Sequence, residues 1–134
     1  MSAPETIART LAARFAPEID ARLPVAVDRA IAEGSTAESP FLSPDINHVF
    51  LFANFVVTVV GLAWNIHMGQ WQKAQAGELA RTKEENEALR RQLRERLDAE
   101  APRLPGGDES LRARLLEAAT DEAIAEAERR RAQR

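Results

Sequence analysis

The chain has 134 residues, a net charge of −3 and no cysteine. That is room for one small domain or for a few helices that need partners, with no disulfide, thiolate metal site or cysteine nucleophile. Basic and acidic side chains balance at seven each in residues 66–100 and again in 101–134, while residues 1–45 carry four against seven, so no basic surface for nucleic acid arises.

Sixteen Arg against two Lys, with 25 Ala, point to a GC-rich, bacterial coding sequence. The first residues lack the basic stretch and apolar core of a secretory signal. Glu5, Glu18, Asp20, Asp28 and Glu33 argue against a mitochondrial presequence.

Residues 1–34 read as amphipathic helix, with Gly34 as the C-cap. Ile7, Leu11, Phe15, Ile19, Leu23, Val27 and Ile31 recur every fourth residue. A strict four-residue step drifts around a 3.6-residue helix, so one straight helix would spiral its apolar stripe. Pro17 and Pro24 are expected to divide it into short pieces that reset the stripe and pack against protein. Residues 35–44, with Gly34 before them and Pro40 and Pro44 within, read as a linker.

From Ile46 to Gln72 the chain runs 27 residues without an Asp, Glu, Lys or Arg, and Ile46–Ile66 holds 15 apolar residues in 21. At helical rise that segment is about 30 Å long, the thickness of a bilayer's hydrocarbon core. Ser43-Pro44-Asp45 supplies an N-cap, a proline for the first helical position and an acidic first turn. Residues 45–69 are therefore read as one transmembrane helix, itself the membrane-targeting signal. Trp64, Trp71 and Lys73 mark its downstream membrane interface. The alternative is a core helix of a soluble domain, which needs protein on nearly every face. The rest of the chain, read as narrow-striped charged helices, is expected to fall short of that coat.

Residues 70–99 read as a continuation of the span into a coiled-coil-like helix. With heptad position a at Leu79, Asn86 and Leu93 are also a, and Leu89 is d; Glu85 and Arg90 form an opposite-charge g–e′ pair. Carried back into the membrane, the same register aligns Asn47, Leu51, Asn54, Thr58, Gly61, Asn65 and Met68 on one face. Amides, hydroxyls and glycine on one face are what membrane helices use to pair, because lipid offers no hydrogen bonds and glycine lets backbones approach. Asn47, Leu51, Asn54, Thr58, Gly61, Asn65, Met68, Leu79, Asn86, Leu89 and Leu93 are thus the expected helix-association residues.

Pro102, Pro105, Gly106 and Gly107 break the helix at residues 100–107, and residues 108–134 form a final charged helix ending in arginines. The break is long enough for an antiparallel return that sets Leu111, Leu115, Ala118 and Ala119 near Leu93 and Leu97.

His48 and His67 lie 19 residues apart, at opposite ends of the span, and His67 is read as an interfacial side chain. No phosphate loop, catalytic triad or HExxH occurs, and neither catalysis nor a cofactor or metal is expected. The reading is an all-α, single-pass protein of the cell membrane. It serves as a scaffold, anchor or accessory subunit, in contact with lipid and with either itself or another membrane protein. A small holin-like pore lined by the polar stripe is the alternative. Within about 20 residues of the span, Arg29 stands upstream against Lys73, Arg81 and Lys83 downstream, which puts the C-terminus in the cytoplasm.

Overall fold

A computed structural model describes the backbone of residues 2–33, 44–75 and 83–132, and their side chains except at 33, 44–47, 71–75 and 131. The described residues form five α-helices and no strand: α1 Ala3–Phe15, α2 Leu23–Glu33, α3 Pro44–Gln75, α4 Lys83–Glu100 and α5 Glu109–Ala132.

The N-terminal stripe resets as the proline spacing requires. The Glu5 backbone N–H donates to the Ser2 hydroxyl at 3.4 Å, which caps α1. Its buried face is Ala3, Ile7, Ala8, Leu11, Ala12 and Phe15. Pro17 falls in the turn that follows, and Pro24 is the second residue of α2. Asp20 starts α2 by accepting the Arg22 N–H on its carboxylate at 2.8 Å and the Leu23 N–H on its carbonyl at 3.0 Å. Leu23, Ala26, Val27 and Ala30 then form the buried face of α2. The expected cap at Gly34 and linker residues 35–43 lie outside the described residues, and Pro44, expected to end the linker, is instead the first residue of α3.

α3 is 32 residues long, about 48 Å at helical rise, and it touches each of the other four helices. Those four form an arc: α2 meets α1, α1 meets α5 and α5 meets α4, while α2 and α4 do not meet among the described residues. The apolar helix therefore lies in a trough. Val49, Phe52, Ala53, Val56, Val59, Val60 and Ala63 face the trough and join one core with Leu11, Val27 and Leu115.

This corrects the expectation that the rest of the chain could not coat an apolar helix. Each flanking helix is narrow-striped, as its sequence says. The contact faces of α1, α2 and α5, however, intersperse alanine with their larger apolar residues: Ala8, Ala12, Ala26, Ala30, Ala118, Ala119 and Ala123 are all buried. Small side chains let helix axes approach closely, so four narrow stripes set side by side cover most of one wide surface.

A second correction concerns the continuous helix expected from the span into residues 70–99. The Gln70 side-chain amide donates to the Leu89 carbonyl at 3.3 Å. Nineteen residues of unbroken helix would hold those groups nearly 30 Å apart. α4 instead folds back along α3, and residues 76–82 lie outside the described residues.

A break and an antiparallel return are present, the break falling at residues 101–108, one residue later than expected, because Glu100 still belongs to α4. Gly106 and Gly107 take φ of 87° and 75°, a region that L side chains resist, and Leu104 anchors the loop in the core. Asp108 caps α5 by accepting the Leu111 N–H at 3.0 Å. Leu93, Leu97, Leu111, Leu115, Ala118 and Ala119 are all buried.

Candidate association surface

The open side of the trough exposes a single stripe of α3. Among the six described α3 positions of the expected association face, none is buried: Leu51, Thr58 and Asn65 are exposed, and Asn54, Gly61 and Met68 are half-buried. Leu51 is 47% exposed, one of two large apolar side chains left so open among the described residues. A Cβ built on Gly61 meets no atom within 4 Å, so the groove there is open. The Asn54 carbonyl oxygen Oδ1 is sheltered and has no hydrogen-bond partner. Asn47 and Leu79 lie outside the described side chains.

The downstream part of the expected seam is used differently. Asn86 is exposed and Leu89 half-buried, but Leu93 is fully buried within the chain and cannot face another. Arg90, assigned by the heptad to a g–e′ pair with Glu85 of a second helix, is held by α5: its guanidinium pairs with Glu117 and, at 2.6 Å, with Asp121. Glu117 and Asp121 raise the Arg90 pKa, and Arg90 holds the Glu117 carboxyl below the usual carboxylate range. Arg94 adds a 3.2 Å contact to Glu117. Arg90 and Leu93 of the coiled-coil-like pattern of α4 are thus engaged within the chain, while Asn86 and Leu89 are not fully covered.

Of the expected interface residues, Trp64 is half-buried and packs on the core, and the side chains of Trp71 and Lys73 lie outside the described set. His67, expected at the interface, is buried, and His48 is exposed with its ring edge-on to Phe52 at 5.0 Å.

One group that sequence reasoning missed is Arg112. Its guanidinium donates to the backbone carbonyls of Asp98, Ala101 and Pro102 at 3.0–3.1 Å and to the Asp98 carboxylate at 2.5 Å. The last carbonyls of a helix have no partner within it, and Arg112 supplies one from the helix that follows. No local motif announces this, because the partners lie 10–14 residues away. Elsewhere, Arg22 forks onto Asp20 and holds its carboxyl at about 2, and Arg129 and Arg130 keep the buried Glu126 carboxyl low. A shallow groove between α1 and α5 is lined by Arg14, Glu18, Arg114 and Glu117, and Glu18 pairs with Arg114 across it.

No protein-family model, curated protein sequence or solved structure matches the chain.

Proposed function

We propose that this chain is a non-catalytic, single-pass membrane scaffold or anchor that associates with copies of itself through the α3 stripe. The carrying observation is how the surface of α3 is divided. The helix is long and apolar enough, from His48 to Gln70, to cross a bilayer. The surface it leaves uncovered gathers Asn54, Thr58, Gly61 and Asn65 on one stripe. In hydrocarbon such a stripe seeks a partner helix. Asn and Thr each carry donors and acceptors, so the stripe is complementary to a second copy of itself. Each hydrogen bond formed this way contributes about 0.6–2 kcal/mol, and several layers act together.

The Lys/Arg bias orients the C-terminal helices to the cytoplasm. Alkaline carbonate extraction of membranes tests the anchor: the full chain is expected to stay with the lipid, and release into the wash would refute it. A C-terminal alkaline phosphatase fusion is expected to be inactive, and an active one would reverse the topology.

A second reading is favoured by one observation: 56% of the apolar window is buried by the chain's own helices. In that reading α3 is the core helix of a water-soluble bundle and its stripe simply faces water. Carbonate extraction separates the two.

A further inference from the structure

The same 23-residue segment, His48–Gln70, is long and apolar enough to cross a membrane and is also wrapped by protein. These two states exclude each other. α1 and α2 lie along α3 and carry Arg9, Arg14, Asp28 and Arg29. If α3 spanned a bilayer with both still attached, those charges would be drawn toward hydrocarbon, where ionised side chains are costly. If α3 lost its neighbours in water, it would expose an apolar surface far larger than soluble proteins carry.

We propose that α1, α2, α4 and α5 are a removable sheath: the closed bundle is the water-stable form of the chain, and insertion exchanges the sheath for lipid. This rests on the membrane reading above and adds to it a soluble precursor state.

Three features of the bundle fit that role. First, α3 contributes no Asp, Glu, Lys or Arg between Ile46 and Gln72, so its hold on the trough is chiefly apolar. Lipid tails are as apolar as leucine, and they replace such contacts with little loss. Second, the sheath helices are tied to one another by ions: Arg9 to Asp28 joins α1 to α2, Arg114 to Glu18 joins α5 to the turn after α1, and Arg90 to Asp121 joins α4 to α5. A spanning α3 puts α1 and α2 on one side of the bilayer and α4 and α5 on the other, so the Arg114–Glu18 tie must break, while the Arg9–Asp28 and Arg90–Asp121 ties can persist within each pair of helices. Third, the stripe of α3 that the sheath omits carries polar side chains that need no cover in water, beside the half-exposed Leu51. Thr58 and Asn65 are exposed there, and in lipid that stripe is free for a second copy. One division of the helix surface serves both media.

The test uses the full-length chain carrying Trp71→Phe, which leaves Trp64 as its only tryptophan. Prepared without detergent, it is expected to be soluble and helical. Phosphatidylcholine vesicles brominated near the headgroup end of the acyl chains should then quench Trp64 at least twofold relative to unbrominated vesicles. The bound chain should resist an alkaline carbonate wash. Hydrogen exchange on the unsubstituted chain is the second measurement. On vesicle addition, amides of α1 and α2 should exchange at least tenfold faster while those of α3 stay protected.

A chain that is soluble, unquenched and removed by the wash overturns the sheath and the membrane reading together. A chain that needs detergent to leave the membrane in which it is made overturns the sheath and leaves the membrane reading standing. Quenching without faster exchange in α1 and α2 also overturns the sheath, because the helices would not have parted.

Discussion

Gly61 separates the stability of the fold from association, because a side chain placed there should move the two in opposite directions. Within the chain, a Cβ at position 61 meets nothing within 4 Å, so Ala is not obstructed and a longer side chain starts into open space. Glycine in a helix interior is less favourable than alanine or leucine by roughly 0.5–1 kcal/mol. Gly61→Ala and Gly61→Leu should therefore raise the unfolding free energy by about that amount, read by denaturant melts followed by circular dichroism. Between chains the sign reverses. Leu at 61 holds the backbones apart and removes contacts at Thr58 and Asn65, one turn to either side, each worth about 0.6–2 kcal/mol. Self-association of the full chain in mild detergent, measured by sedimentation equilibrium, should weaken about tenfold for Leu, which is about 1.4 kcal/mol, and less for Ala. A Leu variant that associates as tightly as the parent would refute the stripe as an interface. A Leu variant that is less stable would refute the open groove.

Asn54→Leu removes a sheltered, unpaired carbonyl oxygen, so it should leave stability unchanged or raised by up to about 1 kcal/mol, while self-association falls by about 1 kcal/mol in the same sedimentation assay. Leu93→Ala should cost about 2–5 kcal/mol at every protein concentration, since Leu93 is fully buried within one chain; a loss that vanished on dilution would restore an intermolecular seam. Arg112→Ala should cost about 2–3 kcal/mol by stripping partners from the end of α4, whereas Arg96→Ala, which loses an exposed 3.9 Å pair, should cost less than about 0.5 kcal/mol. Asp20 should titrate near 2 by carboxyl NMR and rise only part of the way to the ordinary range in Arg22→Ala, because the backbone N–H of residue 22 still donates to it. A carboxyl with a depressed folded pKa contributes stability fully above its ordinary value of 3.8, and the contribution is lost as pH falls toward 2.

Several elements were legible in the sequence because their causes are local. Pro17 and the four-residue apolar step divide the N-terminal segment, and Pro102 to Gly107 end α4 and permit the return that buries Leu97 against Leu115. The fold-back before α4 was not legible, because residues 70–99 keep a heptad pattern across Gly77 that fits a continuous helix as well as a broken one. Leu93 is then buried within the chain and Arg90 pairs with Glu117 and Asp121 of α5 in place of a second chain, and nothing in a heptad distinguishes an intramolecular partner from an external one. The stripe was found by its polar pattern, and its openness follows from the arc of helices. Water and a partner helix select the same residue types for that face. The coat was missed because alanine counts for little on an apolar stripe, yet it lets neighbouring helices come close enough to cover α3.

Charge, not apolar area, sets the terms between the bundle and the bilayer. Val56, Val59, Val60 and Ala63 lose little when lipid replaces α1, α2 and α5 around them. Moving Arg or Asp to the bilayer centre costs about 2.5–3.5 kcal/mol each on insertion scales. Arg9, Arg14, Asp28 and Arg29 together thus represent on the order of 10 kcal/mol before pairing, comparable to the whole stability of a small domain. The Arg9–Asp28 pair recovers little of this while it is exposed, with side chains 37% and 56% accessible. A spanning α3 accordingly cannot carry α1 and α2 with it, and a water-stable chain cannot dispense with them. The polar positions of the α3 stripe, Thr58 and Asn65 among them, are open in the bundle and stay open when the sheath leaves, which is why substitutions at Gly61 and Asn54 report on association.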